Sequence, residues 1–159
     1  MRRIGGMVAL AIGLAVFLIG HGAWAGSTAI SQPTELDLTA VSCGAQHTRC
    51  WFFDLSGKGH GAVVRTSVPL QDQDGNVVGR HRADCTIAAH ASGVCTIVDT
   101  LHAGASTAEG TITLTGLYDG VTPATFAVTG GTGAYEGVSG YEVFDFDGTN
   151  YPTTLFLTP

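Results

Sequence analysis

From residue 62 onward the chain alternates apolar and polar side chains. The cleanest stretch is Gly110-Thr-Ile-Thr-Leu-Thr-Gly-Leu-Tyr118. Ile112, Leu114 and Tyr118 fall on one face, and Thr111, Thr113 and Thr115 on the other. A period of two is that of a strand with one face buried, whereas a helix needs 3.6. Turn residues punctuate the chain at the roughly 8–12-residue spacing expected of an all-β sandwich or barrel. The pattern predicts strands over 51–55, 62–70, 77–87, 94–101, 110–118, 125–129, 140–146 and 153–157. Asp74-Gly75 marks a tight turn of the kind that needs positive φ. Antiparallel strands with short turns can close on themselves and so remove exposed edges. The expected fold class is all-β, an eight-stranded antiparallel β-barrel, whose interior holds a small ligand or is filled by side chains. Residues 26–48 are polar and less periodic and are expected to form an N-terminal arm.

The first 25 residues have the form of an export signal. Arg2 and Arg3 precede an apolar run, and Ala23-Trp24-Ala25 places small residues before Gly26. The run is shorter than the ~20 residues a spanning helix needs. Cleavage after Ala25 predicts a secreted protein with the barrel domain over 49–159. All 13 acidic residues but only five of the seven basic ones follow the signal, so the mature chain carries a net charge of about −8. Nucleic acid and anionic membrane surfaces both call for a basic patch, so neither is an expected partner.

Four cysteines, Cys43, Cys50, Cys85 and Cys95, lie in the exported part. An even count in that setting reads as disulfides. Four cysteines allow three connectivities. A hairpin around residues 88–93 would set Cys85 opposite Cys95, within bridging distance, leaving Cys43 with Cys50. The spacings do not match Cys-x2–4-Cys ligand pairs, so no metal is expected there.

Other chemistries fail at the residues that would carry them. A phosphate-binding loop needs a lysine after its glycines, and the one lysine, Lys58, is far from the glycine-rich block. The calcium loop beginning at Asp72 would need Gly at its sixth position and Glu at its twelfth; Val77 and Ala83 stand there. No Gly-x-Ser-x-Gly elbow is present. The five histidines after the signal, His47, His60, His81, His90 and His102, lack metal-site spacing and are expected at solvated positions.

Charges inside strands are the candidates for function. Asp54 follows Trp51-Phe52-Phe53, and Arg65 lies in Val63-Val-Arg-Thr-Ser67. Arg80, Arg82 and Asp84 share one face of their strand, expected to be the exterior. Glu142 shares its face with Val138, Gly140, Phe144 and Phe146. An inward carboxylate among apolar neighbours would have a raised pKa and could serve as a general acid or base.

The block Phe126-Ala-Val-Thr-Gly-Gly-Thr-Gly-Ala-Tyr-Glu-Gly-Val-Ser-Gly140 resembles the glycine signature of the dirigent and allene oxide cyclase superfamily. The stretch 70–79, with its Asp-Gly turn and Val-Val-Gly, and Cys85-Thr86 are similar to its bacterial branch, the allene oxide cyclase barrel-like proteins. The resemblance spans about residues 51–159. It implies an eight-stranded barrel with a largely apolar lumen. It also implies a small lipophilic substrate cyclised or coupled without a cofactor, and a homo-oligomer, a trimer in the plant relatives. Phe52-Phe53-Asp54-Leu55 is similar to the Phe-His-Asp-Ile of plant dirigents, which implies that Asp54 lies in the lumen. The catalytic candidates are then Asp54, Glu142 and Arg65. Two functions remain open: an isomerase or cyclase, and a non-catalytic barrel that binds an apolar ligand or acts at a surface.

Overall fold

The computed structural model describes residues 29–42, 53–54, 61–89, 92–104, 106–119 and 122–159. Within them lie nine strands: β1 (Thr34–Ala40), β2 (Phe53–Asp54), β3 (Val63–Gln71), β4 (Val77–Ala89) and β5 (Ser92–Leu101), then β6 (Gly110–Tyr118), β7 (Ala124–Gly133), β8 (Ser139–Phe144) and β9 (Tyr151–Thr158). They form one sheet in the order β1-β9-β8-β7-β6-β5-β4-β3-β2, and β1 also pairs with β3. Every pairing is antiparallel. The β1–β3 contact, Thr39 opposite Gln71 and Ala40 opposite Leu70, closes the sheet. β2 takes the same edge of β3 further along, at Val64 and Arg65. The closed wall therefore has the expected number of strands, eight, but its first is β1 and not the expected strand at 51–55, of which Phe53–Asp54 only extends the edge of β3.

The structure differs from the sequence expectation in 26–48. Part of that arm is β1, paired along its whole length with β9 from Thr34–Leu157 to Ala40–Tyr151. Leu36, Leu38 and Ala40 turn inward, while Glu35, Asp37 and Thr39 turn outward. Local polarity hid a short alternation whose partner lies more than a hundred residues away. The proposed leader, 1–25, and Cys43 and Cys50 lie outside the described residues. No helix among the described residues is long and apolar enough to cross a membrane.

One end of the lumen is filled. Leu70, Leu101, Ile112, Leu155, Leu157 and Tyr135 are all within 1% of full burial and belong to one apolar cluster. The Tyr135 hydroxyl accepts a hydrogen bond from the Ala108 N–H at 3.2 Å, which satisfies its polar tip inside the plug. The glycine-rich block builds this end. β7 runs on through Gly130 to Gly133, past the 125–129 expected from the sequence, and the turn follows at 134–137. Gly131 packs so closely that an added Cβ would stand 2.1 Å from the Tyr135 carbonyl oxygen. Gly133 has φ +64°, a conformation that side chains disfavour.

At the other end Cys85 and Cys95 face each other across β4 and β5 and are disulfide-bonded, with a Cα separation of 4.0 Å. This is the hairpin pairing read from the sequence.

Candidate active site

The open end of the barrel contains a cavity of about 510 Å³. Its wall is mainly apolar: Val64, Val68, Ala83, Ile97 and the 85–95 disulfide from one side, Phe126, Phe144 and Tyr151 from the other. That volume lies in the range of small-molecule sites. The rings are ordered against one another. Phe144 stacks on Tyr151 with centroids 5.0 Å apart, and His81 stacks on Phe144 at 5.7 Å. Phe126 meets Phe144 edge-on at 6.2 Å.

Where the cavity meets the plug, three titratable side chains converge. His81 comes from β4, Asp99 from β5 and Glu142 from β8. Strand pairing sets His81 opposite Asp99, and cross-strand partners share a face. Glu142 stands opposite Phe126 on one side and Leu155 on the other, so its side chain must also point inward. Asp99 and Glu142 are 0% exposed and His81 4%. The possible ligand atoms of all three lie within 4.8 Å of one another.

His81 Nδ1 sits 2.8 Å from Asp99 Oδ1. The Thr153 hydroxyl donates a hydrogen bond to Glu142 Oε1. The other oxygen of each carboxylate, Asp99 Oδ2 and Glu142 Oε2, is buried without a hydrogen-bond partner. Burial pushes the Glu142 carboxyl up and the Asp99 charge adds to it, while His81 and the Thr153 hydrogen bond pull it back. The result is a pKa of about 7. Burial presses His81 down, but the charge and hydrogen bond of Asp99, with the charge of Glu142, outweigh it, so its pKa is raised. Glu142 can thus hold or release a proton near neutral pH, where acid–base catalysis is most effective. One histidine and two carboxylates are also a donor set that divalent cations accept. The structure spends His81 Nδ1 on Asp99, an arrangement that fixes the ring and its proton.

The sequence candidates fare differently. Glu142 is inward and buried, at the centre of the cluster. Arg65 lies on the outer wall, its side chain 45% exposed and its Nε 2.9 Å from Asp84 Oδ1. Arg80 and Arg82 are exposed, as expected for the exterior. Asp54 stands opposite Val64 in the β2–β3 ladder, and Val64 lines the cavity. The structure therefore does not bring Arg65 to Glu142. His81 departs from the expectation that the histidines are solvated; His102 keeps to it, at an exposed turn. His47, His60 and His90 lie outside the described residues. Sequence reasoning missed His81 and Asp99, although parity carried the signal. Once Arg80, Arg82 and Asp84 face out, His81 faces in with Ala83. Likewise Asp99 follows Cys95 and Ile97 at two-residue steps.

A closed eight-stranded barrel, plugged at one end and holding a buried cluster of titratable groups below an apolar cavity, defines a barrel of the allene oxide cyclase type. The model of the allene oxide cyclase barrel-like domain matches residues 45–147, and the chain belongs to that family. Among solved structures, a pyocyanin demethylase is similar with a TM-score of 0.59 at 24% identity, over 79% of this chain and 100% of its own. A pterocarpan synthase dirigent protein gives 0.61 at 15% identity, over 94% and 98%. A nonspecific heme-binding cyclase of neoabyssomicin biosynthesis gives 0.57 at 19%, over 79% of this chain and 64% of the cyclase. At these identities the likeness shows a shared fold. No curated protein sequence matches the chain.

Proposed function

We propose that this is an exported barrel that binds a small lipophilic molecule in its lumen and isomerises or cyclises it by proton transfer. The observation that carries this reading is the His81–Asp99–Glu142 cluster lying against the apolar cavity. A barrel that only packed its interior would place no carboxylates there, because a buried, half-partnered carboxylate costs stability. Isomerisation and cyclisation need no redox partner; a proton leaves one atom of the substrate and returns at another. In the proposed mechanism His81, the member of the cluster that lines the cavity, exchanges the proton with the substrate. Asp99 orients the ring, and Glu142 holds the second proton in reserve. The aromatic wall fixes the pose and excludes water, and positioning of that kind contributes much of the barrier reduction in reactions without a cofactor. Asp54, whose backbone is in register with the cavity-lining Val64, is a further candidate for a polar residue of the site. Fold relatives named as a demethylase and a cyclase support a small-molecule role.

Native mass spectrometry of protein purified from its own source tests this reading. It should show a chain beginning at Gly26 that carries one small apolar molecule. Incubated with that molecule, wild type should convert it, and Glu142→Gln should bind it but convert it at least about a hundredfold more slowly. A lumen empty in every preparation would defeat the binding reading. Binding with no conversion by wild type would leave the non-catalytic barrel.

A further inference from the structure

The lumen is electrostatically one-sided, and this restricts what it accepts. Among the described residues that line the cavity there is no lysine or arginine. The described cations of the neighbouring wall, Arg65, Arg80 and Arg82, are exposed on the outer face. Two fully buried carboxylates lie at the inner end of the cavity, each with one oxygen that no donor satisfies. Among the described residues there, the one that can carry a positive charge is His81, whose Nδ1 is already held by Asp99 at 2.8 Å.

We propose that the lumen selects apolar molecules that bring a positive charge or an N–H or O–H donor to the His81 end, and rejects apolar carboxylates. This rests on the lumen-binding reading above and names its ligand class. An anion entering the cavity would lose its hydration and meet the field of Asp99 and Glu142 at low dielectric, with no lysine or arginine among the described lining residues to offset it. A cation or donor in the same pose is attracted by that field. The aromatic wall of Phe126, Phe144 and Tyr151 favours flat or unsaturated frameworks, and a cationic ring gains further from those π faces.

The test uses three tricyclic aromatic probes of similar shape: aminoacridine as the cation, anthracenemethanol as the neutral donor and anthracenecarboxylate as the anion. Each is titrated into wild-type protein at pH 8 and followed by fluorescence. Aminoacridine should bind at least about tenfold more tightly than anthracenecarboxylate, with the alcohol between them. Anthracenemethanol should displace aminoacridine, which places both in the lumen rather than on the acidic exterior. In Glu142→Gln and Asp99→Asn the gap between cation and anion should shrink severalfold. If a variant fails to fold, the wild-type series alone decides. The selectivity is overturned, with lumen binding left standing, if the anion binds as tightly as the cation or if the gap persists in both folded variants. Failure of all three probes to bind, or of the alcohol to displace the cation, overturns both this inference and the lumen-binding reading.

Discussion

The two ends of the barrel are built from the same strands and have opposite contents. At the glycine-rich end, Leu70, Leu101, Ile112, Leu155, Leu157 and Tyr135 fill the lumen, and the polar atom of Tyr135 is satisfied by Ala108. At the disulfide-bearing end the wall is lined by Val64, Ala83, Cys85 and Ile97 with rings from Phe126, Phe144 and Tyr151, and space remains. Between them lies a polar layer whose hydrogen bonds are incomplete. The plug contributes apolar burial of roughly 25 cal/mol per Å². The layer of His81, Asp99 and Glu142 forgoes such burial and holds titratable groups instead. Apolar packing and the titratable layer are thus separated along one barrel axis, a few residues apart, as at Leu101 and Asp99 of β5.

That separation can be broken experimentally. Ile112→Ala, in the plug, should have the largest effect: a loss of about 3 kcal/mol in chemical denaturation, with ligand affinity nearly unchanged in the protein that remains folded. Equal damage to affinity would show that the two ends are not independent.

The polar layer should respond to pH instead. Glu142 titrates at about 7 in the folded protein against 4.5 ordinarily, and His81 is also raised. Between those values the folded state binds more protons than the unfolded chain, so stability must fall as pH rises. The contribution of both groups is fully present at pH 4.5 and below and is lost as pH rises past 7. The loss is on the order of 3 kcal/mol, measured by urea melts across that window. Glu142→Gln should flatten most of the slope. A melt that strengthens from pH 5 to pH 8 would contradict the assignment.

The smallest effect is expected at Arg65. Its ion pair with Asp84 is half exposed, so Arg65→Ala should change stability by no more than about 0.5 kcal/mol and leave ligand binding intact. A loss of binding in this variant would return Arg65 to the site and overturn the division between lumen and exterior.

The sequence carried the strands because period-two alternation is a local property of adjacent residues. It did not carry β1, since what makes Thr34–Ala40 a strand is pairing with β9 and with the end of β3, across most of the chain. Glu142 was legible because its own face, Gly140 and Phe144, is apolar. His81 and Asp99 were legible only by parity, as the inward neighbours of residues that are plainly outward. Applied to Arg65, the same parity sets it with Ser67 on the outside, while Val64, Thr66 and Val68 line the cavity. Convergence of the three groups depends on how strands β4, β5 and β8 curve around the lumen, and no local pattern encodes that.

The most direct test of the account is a carbon-detected NMR titration of the Glu142 carboxyl, assigned by comparison with Glu142→Gln. The midpoint should lie near 7 and move when a ligand fills the lumen. A midpoint at the ordinary glutamate value of about 4.5, insensitive to any ligand, would contradict it.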